Sequence, residues 1–462
     1  MKTTAQIAAE LREYDPNALP VDVAHAFLQR LVAPVMGTER LPLTQALGRV
    51  LAEDVISPIN VPPHDNSAMD GYAFHGAELS AVGGGQALTL RVVGTALAGA
   101  RWQGTVGAGE CVRIMTGAVM PAGLDTVVPQ ELVQIASPQL QDKHVTLFTD
   151  VVRCGDNRRL RGEDLQADHP ALQQGQQLTP AALGLLASLG LTGVSVVRRL
   201  RVALFSTGDE ILRPGEPPRD GAVYDSNRTA LHGLLIQLGC DVIDLGVVKD
   251  QPEPLRAAFL QAAQQADAII TSGGVSTGDA DHTRTLMAQL GDVAFWRLAI
   301  RPGRPMAVGR IPKTPAEAHR FTAASPEGES PPVESSKPGA RKISGAVLFG
   351  LPGNPVAAMV SFITLVRPAL RRMMGARAES PVLLRATCEQ ALRKKTGRTE
   401  YQRGIVTQHT DGRLTVRTTG SQGSGVLSSM VQANGLIVLG HDQGPVAKDD
   451  EVQVMLLSST AN

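Results

Sequence analysis

The chain has 462 residues, enough at roughly 150 per domain for about three domains, and 43% of them are hydrophobic, which excludes wholesale disorder. Lys+Arg and Asp+Glu both total 44, giving zero formal net charge, and aromatic residues are only 3%; this argues against a dedicated nucleic-acid or membrane-surface binder. Gly (47) and Pro (30) make up 77 of the 462 residues, so turns and backbone-lined loops should be frequent.

Apolar spacing near 3.6 predicts an amphipathic helix from Val21 to Val32 and a second from Leu43 to Val55. Short alternating runs separated by glycines (LTLRVVGTAL, CVRIMTGAV, TVVPQELVQI, HVTLFTDVV) predict a small β domain over 57–156. The run TPAALGLLASLG at 179–190 returns to helix, so the β module reads as an insertion into a helical linker domain made of 1–56 and 157–196. From Arg201 strands such as RVALFSTGDEI, CDVIDLGVV and DAIITSGGVS alternate with helices such as SNRTALHGLLIQLG and EPLRAAFLQAAQQA. That order predicts an α/β domain over 197–377 with a parallel sheet, whose substrates bind at the carboxyl ends of the strands. Within it Pro312 to Lys342, with six prolines and Phe321 as its one aromatic residue, is expected to be a disordered, tolerated insert. The tail alternates again (RGIVTQ, RLTVRTT, GLIVLG, EVQVMLL), predicting a C-terminal β-barrel over 378–462. There is no internal repeat.

Cys111, Cys154, Cys240 and Cys388 are far apart with no C-x-x-C pair, which argues against a zinc site, a redox dithiol or a disulfide framework. The N-terminus carries Glu10, Glu13 and Asp15 and does not read as a signal peptide. The most apolar long window, Leu348 to Val366, is broken by Pro352, Asn354 and Pro355 and cannot span a bilayer as one helix. A cytoplasmic protein is expected.

Several stretches carry chemistry. Pro62-Pro63-His64-Asp65-Asn66-Ser67-Ala68-Met69-Asp70-Gly71-Tyr72 reads either as turn residues or as a polar site where linker meets β module. Arg113 to Ala118, with Thr116-Gly117 after a strand, can present a hydroxyl and free N–H groups to an anion, although a simple hairpin looks the same. Asp156 to Asp164, including Arg158, Arg159, Arg161 and Glu163, could grip a phosphate and a metal or pair with itself at the surface.

The strand-end loops of the α/β domain are more specific. Ser206-Thr207-Gly208-Asp209-Glu210 ends the first strand, and Tyr224-Asp225-Ser226-Asn227 opens a helix, where Asp225 or Ser226 could equally be an N-cap. Ser272-Gly273-Gly274-Val275-Ser276 suits phosphate cradling by N–H groups, and Asp281 and His282 follow. It matches neither G-x-x-x-x-G-K-[ST] nor G-x-G-x-x-G. Arg297, Arg301 and Arg304 would hold a polyanion, and Leu351-Pro352-Gly353-Asn354-Pro355 joins a strand to a helix. An acidic cluster opposed by a basic one suits a phosphate anhydride with a divalent metal.

In this order the segments DNSAMDGYA, RIMTGA, RRLRGED, STGDE, YDSNR, SGGVSTGDADHT, RPGRP, LFGLPGNP and TGSQGSG resemble the MoeA family of molybdopterin molybdenumtransferases, relatives of the gephyrin E domain. The resemblance runs from Asp65 to Gly425 apart from the insert. It implies an enzyme that binds adenylylated molybdopterin, accepts molybdate at the dithiolene and releases AMP and molybdenum cofactor with the help of Mg2+. It also implies an elongated homodimer, with each cleft shared between the α/β domain of one subunit and the β domain of the other. Carried over by position, the catalytic residues are Asp70, Thr116, Asp164, Glu210 and Asp281, and the metal ligands Glu210, Asp250 and Asp281. The substrate-binding residues are Arg159, Asp250, Ser272, Gly273, Gly274, Ser276, Arg297, Arg301, Arg304, Pro352, Gly353 and Asn354. Many family members have lysine where Arg297, Arg301 and Arg304 stand; arginine keeps the charge and adds a bidentate fork. A MogA-like adenylyltransferase and molybdoenzyme chaperones are the partners implied. The competing readings are a molybdopterin adenylyltransferase and a non-catalytic scaffold.

Overall fold

The computed structural model describes residues 2–136, 144–275, 282–313 and 345–457. Nearly all of the expected insert at 312–342 lies outside them, as do Ser276 and Asp281. The helix Val21–Leu31 forms as expected, burying Val23, Ala24, Phe27, Leu28 and Leu31 along one face, with Asp22 in its first turn.

The helix expected from Leu43 to Val55 does not form. Leu43–Gln45 makes one 3-10 turn, the Gly48 N–H goes to Leu178 O, and Val50 and Leu51 form β-bridges to Gln177 and Val196. Gly48 at φ +72 breaks any helix, and Arg49 is buried after it against Glu39 and the Val197 carbonyl. Apolar residues spaced for a helix here serve a segment sandwiched by the returning chain. The linker is accordingly less helical than its composition suggests. Its flanks meet as antiparallel pairs, Thr38–Pro42 with Gly193–Val197, Val55–Ile56 with Pro170–Leu172 and Asn66–Ser67 with Arg158–Arg159. The expected helix near 179–190 is present as Pro180–Ser188, capped by the Thr179 hydroxyl and started by Pro180.

The inserted module is a six-stranded sheet running, in spatial order, Thr126–Pro129, Gly71–Phe74, Glu110–Ile114, Ala87–Ala96, His144–Phe148 and Gln134–Ala136. The strand Gly71–Phe74 lies within the motif DNSAMDGYA and is buried along its length.

The α/β domain has a six-stranded sheet in the order Asp241–Val248, Arg201–Thr207, Ala268–Ser272, Gly345–Leu351, Pro305–Pro312 and Asp292–Arg297. The first four strands are parallel, but Pro305–Pro312 is antiparallel to both of its neighbours, so the sheet is mixed where an all-parallel one was expected. The reason is local: Asp292–Arg297 returns through the short connection 298–304, which holds the strand Ile300–Arg301 and no helix. Alternation divides the first strand between two cores. Val202 and Leu204 pack with Leu231, Leu235 and Val356 on one face, while Ala203 and Phe205 pack with Leu255, Phe259 and Met287 on the other. Helices on both faces leave the carboxyl ends of the parallel strands as the free edge.

The C-terminal strands Thr399–Gln408, Leu414–Thr418, Leu383–Cys388, Glu451–Leu456 and Gly435–Leu439 close on each other, the last pairing back with the first as a five-stranded barrel. Ile300–Arg301 of the α/β domain joins it as an extra parallel strand, with Arg301 opposite Glu400. Among the described residues no helix is long and apolar enough to cross a membrane.

Candidate functional site

A cleft of about 1220 Å³ lies where the carboxyl ends of the strands meet the barrel. Its walls include Thr207, Glu210, Asn227, Asp250, Ser272–Val275, Ile300–Pro305, Pro352–Pro355, Arg398 and Gln422–Gly425. The glycine loop is shaped by crowding. Gly273 has φ +93, and a Cβ there would sit 2.5 Å from the Thr207 carbonyl oxygen. Gly274 has φ +68, and its Cβ would fall 2.4 Å from Thr283 Cγ2. Only glycine lets the chain turn this close to the end of the first strand.

One side of the cleft is acidic and hydroxyl-rich. Asp250 accepts from Thr283 Oγ1 at 3.0 Å, while Asp225 is committed elsewhere, to Ser206 Oγ at 2.9 Å and Arg228 Nε at 2.8 Å. Asn227 Nδ2 donates to Ser272 Oγ and to Gly353 O, both at 2.7 Å, joining the glycine loop to the 352–354 loop. The opposite side is basic. Arg398 grips the buried Glu400 through Nε at 2.9 Å and Nη2 at 2.8 Å, and Arg301 Nη1 stands 3.8 Å from the other carboxylate oxygen. The barrel loop is held from behind by Arg403, buried with 1% exposure, whose Nε donates to Ser429 Oγ and Nη2 to Gly423 O. Burial, then the charge of Arg301, pulls that guanidinium down to about 10, so it stays a cation at neutral pH. Ser424 O in turn accepts from Val356 N at the start of the following helix.

A second constellation sits on the inserted module and the linker segment 158–164 beside it, and none of its residues lines the cleft. The Thr116 hydroxyl and backbone N–H both donate to Asp70 Oδ1, at 2.6 and 2.7 Å, and hold that carboxylate below its usual range. The three motif stretches lock together here. Ser67 pairs with Arg158, the Gly117 N–H donates to Ser67 O, and Arg161 N–H donates to Asp65. Arg159 pairs with Glu163 at 3.2 Å, and the neighbouring Asp164 is exposed.

Of the residues expected at the site, the cleft unites Glu210, Asp250, Ser272, Gly273, Gly274, Arg301, Arg304, Pro352, Gly353 and Asn354. Asp70 and Thr116 pair on the module instead, Arg159 and Asp164 lie on the linker segment that returns beside it, and Ser276 and Asp281 lie outside the described residues. Arg297 is not in the cleft. It ends the outermost strand, its backbone is engaged by Pro16 and Leu19, and only its partner Pro305 reaches the wall. Thr207, Asn227, Arg398 and Gln422–Gly425 line the cleft without having been singled out as binding residues. Asn227 and Gln422–Gly425 fall in the quoted stretches YDSNR and TGSQGSG, whereas Arg398 stands in RKKTGRTE, which carries no signal beyond charge.

Comparison with known proteins covers the chain almost end to end. The "MoeA N-terminal region (domain I and II)" matches residues 19–190, the "Probable molybdopterin binding domain" residues 203–372, and the "MoeA C-terminal region (domain IV)" residues 385–457. The Molybdopterin molybdenumtransferase of Haemophilus influenzae is 39% identical over 438 residues, 94% of this chain and 98% of its own. That of Bacillus subtilis is 30% identical over 421 residues, covering 91% of this chain and 90% of its own. A solved structure of the molybdopterin biosynthesis MoeA protein from Pyrococcus horikoshii has a TM-score of 0.68 at 27% identity, covering 96% of this chain and 100% of that one.

Proposed function

The chain belongs to the MoeA family, whose curated members are molybdopterin molybdenumtransferases, and from that premise we propose that its strand-end cleft holds adenylylated molybdopterin while molybdate is inserted and AMP released. The supporting observation is the union in one cleft of a glycine loop, three guanidiniums and two carboxylates, Glu210 and Asp250, of which Asp250 meets only the Thr283 hydroxyl. Backbone and hydroxyl donors at 272–275 suit the phosphate oxygens, and Arg301, Arg304 and Arg398 suit an incoming oxyanion. Glu400 orients two of those guanidiniums and neutralises only one charge.

Magnesium fits the donor set. Mg2+ is held by one or two carboxylates plus substrate phosphates rather than by an all-protein cage. Glu210 and Asp250 supply two carboxylates, and among the described residues no cluster of three potential ligands forms. When bound, the ion would neutralise charge on the phosphate oxygens during anhydride cleavage. Asp281 would add to this set by position.

The module's Asp70 and Thr116 would complete a cleft only from a second subunit, which makes the working form a homodimer. The enzyme would work in the cytoplasm, taking adenylylated substrate from a MogA-like adenylyltransferase and passing its product to molybdoenzyme chaperones.

Purified protein given adenylylated molybdopterin, molybdate and magnesium should release AMP only when molybdate is present, and should reconstitute a cofactor-free molybdoenzyme. Adenylylation of molybdopterin from ATP with no such release would overturn this reading in favour of the preceding step. Inactivity in both assays would overturn it in favour of a scaffold.

A further inference from the structure

One side chain ties the two loops that carry the cleft's small donors. Asn227, in the first turn of Ser226–Leu238, is 8% exposed and spends both amide protons, one on Ser272 Oγ and one on Gly353 O. The orientation of the amide follows from chemistry, since the Gly353 carbonyl can only accept and must face the NH2 end. Asn227 Oδ1 is then left buried, with no partner among the described residues. An unpaired buried acceptor opposes folding, so this orientation is held by what the NH2 end does.

We propose that Asn227 is a positioning residue for the substrate's phosphates, directing the Ser272 hydroxyl proton and the Asn354 N–H toward the ligand. The inference rests on the reading of the cleft given above. Ser272 Oγ receives the amide proton on a lone pair, so its own proton must go to another acceptor. Asn227 itself offers none to it. The Gly353–Asn354 peptide is trans, so its N–H points opposite to its carbonyl, and anchoring the carbonyl on Asn227 turns the N–H the other way. Ser272, Gly353 and Asn354 all line the cleft. The Gly273 N–H is already taken by Leu351 O, which gives the Ser272 hydroxyl greater weight in this loop. A ligand matched to two donors set in this way brings acceptors only, as a phosphate or pyrophosphate group does.

The test uses inorganic pyrophosphate as the probe, with calorimetric affinities for the full-length wild type, N227D, S272A and the double variant. N227D keeps the shape of the residue but has no amide proton at neutral pH, so its affinity should fall about tenfold or more. In the S272A background the same substitution should cost less than about threefold, because its main target has gone. With adenylylated molybdopterin, N227D should raise KM for the pterin while leaving KM for molybdate unchanged, a split that general loss of folded protein does not produce. If N227D fails to fold, N227S is read by the same assays, with the same direction expected. Wild type that binds pyrophosphate alongside N227D that binds it equally well, or effects of N227D and S272A that multiply in full, would overturn the inference alone. Wild type that does not bind pyrophosphate would overturn the reading of the cleft and the inference with it.

Discussion

Glu400 shows how much one carboxylate can organise. It is 1% exposed, accepts a hydrogen bond from Arg398 Nε and an ion-pair contact from its Nη2, lies 3.8 Å from Arg301 and also receives Gln402 Nε2 at 3.3 Å. Glu400→Gln keeps the shape and removes the charge, so stability should fall by about 1–3 kcal/mol in chemical denaturation. The two guanidiniums, released from their anchor, should also raise KM for the anionic substrates. Asp70 behaves differently because it is exposed. The Thr116 hydroxyl, then its backbone N–H, lowers the carboxylate's pKa in the folded state. A depressed folded value contributes stability above the unfolded value of about 4, and that contribution disappears as pH falls through the folded value. Wild type should therefore be more stable than D70N near pH 7, and urea titrations should show the gap closing below about pH 4. At this scale much of the site could be read in the sequence, because Thr116, Glu210 and Gly273 sit in short motifs whose residue types are unusual together. Arg398 could not be, since a basic run such as RKKTGR looks the same on any solvated surface. Its place in the cleft arises only because Thr399–Glu400 pairs with Ile300–Arg301, about a hundred residues earlier in the chain.

Among the elements, strands proved more legible than the segments joining them. The period-2 strands and the helices at 21, 180, 226 and 252 formed where hydrophobic spacing placed them, because one face of each is buried. The run after Leu43 was misleading. A 3.6-residue spacing of apolar side chains is also met by a segment of turns and β-bridges, and Gly48 at φ +72 with the bridges at Val50 and Leu51 decides for the latter. The antiparallel return at 305–312 was hidden for a related reason, since a strand's direction depends on the length of its connection and not on its own residues. The glycine loop is an element whose shape is sterically required. Gly273→Ala would place Cβ against the Thr207 carbonyl at a positive φ. It should lower stability by about 1–3 kcal/mol and abolish binding of pterin substrate, as seen in thermal unfolding and in titration.

At the scale of the molecule, the separation of Asp70 and Thr116 from the cleft of the same chain makes a quantitative prediction. On the proposed homodimer, D70A and E210A should each be inactive alone and restore activity when co-folded, because a mixed dimer would have one cleft with both residues intact. Random pairing gives half mixed dimers, each with one working cleft of two, so about a quarter of wild-type activity is expected. Complete failure to complement, with both variants folded and dimeric, would place all the catalytic groups within one chain. Chelation with EDTA should reduce AMP release to background, and added magnesium should restore it. The neck of the N-terminal lobe has a different consequence. Thr38–Pro42 lies against Gly193–Val197, and the Arg198 N–H donates to Gly37 O, so the chain leaves and returns at one point. Neither the six-stranded α/β sheet nor the barrel uses a strand from between those residues. In genetic terms the lobe is a cassette: one recombination event can remove it, exchange it or graft it elsewhere without shifting the register of any strand in the half that remains.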